Sequence, residues 1–211
     1  MKYLFIDTST HDLTVAVLSN EEILGISTSH NTNEHSKYAL TDLENTFKKA
    51  KLTPNDIDKV MVVNGPGSFT GIRIGVTIAK TFAWALKKDV IPVSSLLGYA
   101  LGYSGYDYYV SVLDARRGYV YGAIYNSNYE VVLGEQYIII DELNNVISSL
   151  NGDILITGDI DINDTGTSPI LIDAVRIINY YKNKQAVPAH SLNPHYLKRV
   201  EAEEKMMEVI E

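Results

Sequence analysis

The 211 residues predict an α/β fold of two tandem lobes, the second reduced. Three observations carry that prediction. Short apolar runs bounded by polar turns alternate with long stretches of helical periodicity. The order of these elements partly repeats after residue 98, and the first strand of each copy ends on an aspartate, Asp7 and then Asp114.

The first lobe opens with a strand over 3–7, a polar turn Thr8-Ser9-Thr10-His11-Asp12, and strands over 13–18 and 23–29, an antiparallel meander by its short turns. A helix follows over 36–51. Its Leu40, Leu43, Phe47 and Ala50 form one apolar stripe, Ser36 suits its N-cap, and Lys48, Lys49 and Lys51 suit the negative end of its dipole. Thr53-Pro54 reads as the cap and first position of a short helical turn. A buried strand over 59–64, the string Gly65-Pro66-Gly67-Ser68-Phe69-Thr70-Gly71, a helix over 72–87 and a strand over 90–93 complete the lobe at residue 98.

The second lobe, 99–189, repeats the order with strands over 108–114, 119–125 and 130–140, a helix over 141–150, a strand over 154–157 and a helix over 173–182. Residues 190–211 are expected to form a helical tail. Two such β-β-β-α-β-α units are the ribonuclease-H-like lobes of the actin, Hsp70 and sugar-kinase (ASKHA) superfamily, a fold that by itself assigns no activity.

Composition narrows the chemistry. There is no cysteine, which excludes disulfides, thiolate metal sites and a cysteine nucleophile, and which suits a reducing cytoplasm. The first strand meets Asp7 after four apolar residues, too few for a signal-peptide core, and no apolar run approaches the ~20 residues of a membrane span. Residues 1–98 hold 10 basic and 10 acidic side chains, residues 99–211 hold 8 and 16, so the whole net charge of −8 lies in the second half. Such a chain disfavours a stand-alone nucleic-acid binder.

The glycine string is a strand-to-helix hinge: Gly65 and Gly67 permit backbone angles closed to other residues, and Ser68 or Thr70 can cap the helix. Its spacing matches neither the dinucleotide fingerprint nor the Walker loop. Within the helix, Gly71, Gly75, Ala79 and Ala83 recur every four residues, a small-residue stripe that lets another helix, or this lobe's own sheet, approach closely. The hydroxyls of Thr8, Ser9 and Thr10 can bind an anion or satisfy their own turn, and Arg116 can meet a phosphate or a neighbouring carboxylate.

The string from Gly65 to Gly75 with Ala79-Lys80 resembles the signature of the TsaB (YeaZ) family. Ile6-Asp7-Thr8-Ser9-Thr10, His35-Ser36, Asp114-Ala115-Arg116-Arg117-Gly118 and Pro194-His195-Tyr196-Leu197-Lys198-Arg199 resemble it in the same order. The resemblance implies an accessory, non-catalytic subunit. It works with TsaD, the catalytic paralogue, and TsaE, the ATPase, to put a threonylcarbamoyl group on the adenosine beside the anticodon of tRNA. It further implies that the two long helices, through Leu40, Leu43, Phe47, Gly71, Arg73, Gly75, Ala79, Lys80 and Ala83, form the surface that joins TsaD or a second copy of the chain. Contacts to an anion or nucleotide would fall to Asp7, Thr8, Ser9, Ser68, Thr70 and Arg116.

In TsaD a His-x-x-x-His pair holds the catalytic metal, and here Ser95 and Tyr99 stand at the corresponding positions, poor metal ligands both. The expectation is therefore no catalytic residue, no metal and no tightly bound cofactor in this chain, ATP or ADP and a divalent metal in the partner subunits, and tRNA met through the complex. The alternative is a nucleotide-binding ATPase or a metalloprotease-like enzyme of the same superfamily.

Overall fold

The computed structural model describes residues 1–19, 22–30, 35–163 and 166–198. The first sheet opens with β1 (Lys2–Asp7), β2 (Leu13–Ser19) and β3 (Glu22–Ser29), paired antiparallel. Helix α1 (His35–Ala50) leads through a short 3-10 turn to β4 (Lys59–Gly65), which runs parallel to β1. Helix α2 (Phe69–Leu86) leads to β5 (Asp89–Ser94), parallel to β4. The second sheet holds β6 (Tyr108–Asp114), β7 (Tyr119–Asn126) and β8 (Val131–Ile139), again an antiparallel meander, then α4 (Ile140–Ser148) and β9 (Ile154–Gly158), parallel to β6.

Two elements, α3 (Ser95–Leu101) and β10 (Val187–Pro188), lie outside the expected order. The buried helix α3 follows β5 at once, and α5 (Ala174–Tyr181) is followed by β10, which returns to the first sheet and pairs antiparallel with β5. Residues 192–198 carry no helix, and the rest of the expected helical tail, 199–211, lies outside the described residues. The strand orders are β10-β5-β4-β1-β2-β3 and β8-β7-β6-β9, so the second sheet repeats the order of the first four strands and lacks a counterpart of β5.

Burial explains the reading of each strand. β1 is apolar from Tyr3 to Ile6 because both faces are covered: Leu4 and Ile6 pack with Phe47, Ile72, Val76 and Ala79 beneath α1 and α2. Tyr3 and Phe5 face the other way, into a core shared with α3, α5 and the inner face of the second sheet. The outer face of that sheet, Val110, Val112, Val120 and Ile124, is covered by Leu143 and Ile147 of α4. Among the described residues no helix is long and apolar enough to cross a membrane.

Candidate functional site

Two surfaces stand out: a polar cleft where the two sheets meet, and an apolar face on α1 and α2. The cleft, of about 450 Å³, is built from chain reversals at strand ends. Ser9, Thr10 and His11 follow β1, Ser68 and Phe69 start α2, Asp114 and Arg116 follow β6, and Asp159 follows β9.

The same local device closes both first strands. Asp7 Oδ1 accepts hydrogen bonds from Ser9 N at 2.8 Å and Ser9 Oγ at 2.7 Å, and Asp114 Oδ1 accepts from Arg116 N at 2.7 Å. The first copy is sealed and the second is open: Asp7, Thr8 and Ser9 are buried, whereas Asp114 and Arg116 are exposed. Thr8 Oγ1 donates to Gly71 O at 2.7 Å, and Ser9 O accepts from Ser68 N at 2.8 Å. Gly67, at φ 152°, lets α2 begin against this turn, since a Cβ there would stand 2.4 Å from Ser9 O.

These contacts sort the residues expected to meet an anion. Ser9, Ser68 and Arg116 line one cleft. Asp7 and Thr8 are buried and do not line it; the Thr8 hydroxyl is committed to Gly71. Thr70 lies on the other surface, in a groove with Ser36, Leu40 and Arg73. The Asp159 carboxyl accepts from Asp114 N at 2.7 Å and is held above its ordinary range, first by loss of water in the cleft and then by the charge of Asp114.

Ser95 and Tyr99 form a closed hydrogen-bonded floor. Ser95 Oγ donates to Pro66 O, and the Tyr99 hydroxyl lies 3.2 Å from Ser9 Oγ. Tyr99 is fully buried, and burial, with Asp7 nearby, drives its phenol far above the ordinary value. Among the described residues no three His, Asp or Glu side chains are grouped to hold a metal ion.

On the helical face, Leu40 is 63 % exposed, Leu43 is half-buried and Phe47 stacks on Phe82 at 5.9 Å. With Leu86 and Pro54 they border an apolar groove of about 400 Å³. Arg73 is exposed and Lys80 Nζ reaches His190 O at 3.2 Å. The small-residue stripe corrects the expectation of a partner contact. Gly71, Gly75, Ala79 and Ala83 are all buried inside this chain, and a Cβ on Gly71 or Gly75 would stand 2.1 Å from Thr8 O or 2.3 Å from Thr8 Oγ1. The stripe brings α2 onto its own sheet and the turn after β1.

The outward residues of α2 are others: Phe69, Ile74, Ile78, Phe82 and, 75 % exposed, Trp84. Their signal was present as a second apolar row, 74-78-82, beside the glycine row; a helix apolar on most sides is covered on most sides.

A mixed α/β protein of two sheets, meeting at a cleft of turns and carrying a paired-helix face, is the class these features define. A solved structure from Pseudomonas aeruginosa, described as an uncharacterized protein with similarity to peptidase YEAZ, shares this fold at TM-score 0.77 and 22% identity, covering 93% of this chain and 99% of that one. The family model TsaD: tRNA N6-adenosine threonylcarbamoyltransferase matches residues 16–161. The tRNA threonylcarbamoyladenosine biosynthesis protein TsaB of Bacillus subtilis (strain 168) is 31% identical over 230 residues, 99% of each chain. The tRNA N6-adenosine threonylcarbamoyltransferase of Persephonella marina is 32% identical over 109 residues, 44% of this chain and 32% of that one. The chain belongs to the TsaB (YeaZ) family.

Proposed function

We propose that this protein is the non-catalytic subunit of the cytoplasmic complex that adds a threonylcarbamoyl group to the adenosine beside the anticodon of tRNA, and that α1 and α2 dock it onto a TsaD-type catalytic subunit. The observation that carries the reading is the helical face. Leu40 stands in solvent where two grooves between the helices meet, one lined by Leu43, Phe47, Phe82 and Leu86 and the other by Phe69, Ile74 and Ile78, a contiguous apolar face of the kind that marks an interaction surface. A partner with related helices suits it: the matched region 16–161 contains both α1 and α2, so a TsaD-type chain brings a similar pair and the four helices pack about a pseudo-twofold axis. A second copy of this chain is the other partner such symmetry admits.

In this reading the two sheets are tandem ribonuclease-H-like lobes of the ASKHA superfamily, the second reduced. The metal and the transferase site belong to the TsaD-type subunit, ATP hydrolysis to TsaE, and tRNA is met through the assembly. The closed floor at Ser95 and Tyr99 supports a supporting rather than a catalytic role.

The test is co-elution of the purified chain with a TsaD-type protein, together with tRNA modification reconstituted with and without this chain. Leu40→Glu, on an exposed position, is expected to keep the fold and lose co-elution. Wild-type co-elution by the folded variant, or undiminished modification in the chain's absence, overturns the reading.

A further inference from the structure

Docking through α1 and α2 leaves unused a group of features on the rim of the cleft. Arg116 and Arg117 are consecutive residues at φ 67° and 56°, a left-handed conformation that side chains other than glycine rarely adopt. Both are exposed. Among the described residues, neither of them, nor Arg73 or Lys198, has a carboxylate partner within 4.0 Å. The backbone of this turn closes the β6–β7 hairpin, with Arg116 N donating to Asp114 Oδ1 and Tyr119 N to Arg116 O, while its two guanidiniums stand in solvent without a carboxylate.

Aromatic rings flank these cations. On the second sheet Tyr119 and Tyr137 lie parallel, centroids 4.4 Å apart and planes 4° apart, with Tyr121 leaning on Tyr137 and the Lys198 ammonium 5.1 Å above it. Across the cleft Phe69 and Tyr196, 49 % and 42 % exposed, stack at 5.1 Å, with the Arg73 guanidinium 4.8 Å from the Phe69 ring. Phe69, Tyr121 and Arg116 share the cleft wall.

Flat π-faces beside unpaired cations suit unpaired nucleotides, whose bases stack while their phosphates seek positive charge. The carboxylates define the orientation. Asp114 and Asp159 line the cleft itself and repel a phosphate there, so the bases turn inward to the tyrosines and the backbone runs outside, along Arg116, Arg117 and Lys198. The net charge does not forbid this, because five of the second half's acidic residues are the glutamates of 199–211, outside the rim.

We propose that this rim binds two or three unpaired nucleotides of an RNA, the bases stacking on the Tyr119, Tyr121 and Tyr137 face and the phosphates meeting the Arg116–Arg117 turn. The proposal rests on the tRNA reading above and adds a direct RNA contact by this chain.

Fluorescence anisotropy with the full chain at about 50 mM salt, where phosphate contacts are strongest, tests it. The probes are an RNA hairpin with a seven-nucleotide loop, a blunt RNA duplex of equal charge, and ATP as competitor. The hairpin is expected to bind at least tenfold tighter than the duplex. Arg116→Gly with Arg117→Gly is expected to lose roughly tenfold and flatten the salt dependence, with an unchanged or raised Tm, because glycine adopts the turn without strain. Tyr119→Leu with Tyr137→Leu is expected to lose roughly tenfold with the salt dependence intact. No hairpin binding by the wild type, equal binding of duplex and hairpin, full displacement by ATP, or unchanged affinity in both double variants overturns the proposal. Leu40→Glu separates the two readings: it must bind the hairpin like wild type, so lost docking with retained RNA binding leaves this site standing, and the converse leaves docking alone.

Discussion

The Tyr99 hydroxyl lies 3.2 Å from Ser9 Oγ, so the buried helix α3 is fastened to the turn after β1 across ninety residues of chain. Ser9 in turn is held by Asp7, and Asp7-Ser9-Tyr99 forms a row of hydrogen bonds on the cleft floor. Tyr99→Phe removes one end of that row while keeping the ring, and is expected to destabilise the protein by about 1 kcal/mol. Tyr99→Ala also empties a core site and is expected to cost about 3–5 kcal/mol, both read by urea unfolding.

Alkaline pH should unfold the chain steeply. Tyr99, Tyr125 and Tyr181 are buried, and loss of water raises each phenol well above its ordinary value of 10.0. The unfolded chain gives up these protons near pH 10 while the folded chain keeps them. Stability is therefore intact below that pH and falls above it, by about 1.4 kcal/mol per pH unit for each phenol. Tyr125→Phe is expected to make the fall shallower, measured as unfolding free energy between pH 8 and pH 11.

Asp159 carries the same sign into the acid range, since its folded form too holds its proton more tightly than the unfolded one. Its carboxyl is raised above 3.8 in the folded chain, so the ionised form at neutral pH is a cost that protonation relieves. Asp159→Asn keeps an oxygen for Asp114 N and is expected to raise Tm slightly at pH 7. The gain should shrink as pH falls through the raised value and vanish below the ordinary one, and a gain independent of pH would contradict the assignment.

The buried row of α2 and the open face of α1 should respond oppositely to substitution. Gly71→Ala forces a Cβ against Thr8 O and is expected to cost about 1–3 kcal/mol. Leu40→Glu, on the open face, should change stability by less than about 0.5 kcal/mol while losing the partner. Thermal melts of both variants beside a co-elution assay check the pair.

Arg176 gives the tyrosine-rich segment 99–109 its physical account. Its guanidinium donates to Tyr103 O at 2.8 Å and to the Tyr129 hydroxyl at 2.5 Å, and it lies 5.6 Å from the Tyr129 ring, which stacks on Tyr109 at 5.1 Å. Arg176→Lys cannot reproduce that fork and is expected to cost about 1.5–3 kcal/mol, with faster proteolysis in the loop after α3.

Elements with a period of their own were legible in the sequence: the meander over β1, β2 and β3, helix α1 from Leu40, Leu43 and Phe47, and α2 from its apolar rows. The buried helix α3 was not, because Leu96, Leu97, Tyr99, Ala100 and Leu101 are covered on every side and so show no polar face. β10 was not, because two residues paired at an edge carry no pattern. The glycine stripe is visible in the sequence, but spacing alone does not say which neighbour it admits; that depends on Thr8, sixty-three residues away from Gly71. Of the residues expected to meet an anion, Ser9, Ser68 and Arg116 reach one cleft because they sit at the ends of elements the fold gathers, while Thr70, two residues beyond Ser68, turns to the other surface.

The return of the chain to the first sheet orders its assembly in time. β5 is made early, but its outer partner β10, and the His195 amide that donates to Asn64 O at 2.7 Å, follow only after the entire second sheet. On the ribosome the earlier sheet therefore waits, with β5 as an open edge, until the later one has emerged. The last described stretch of chain acts as a fastener that closes the half synthesised first, so a truncation before residue 187 is expected to harm the sheet that carries α1 and α2 rather than the half it shortens.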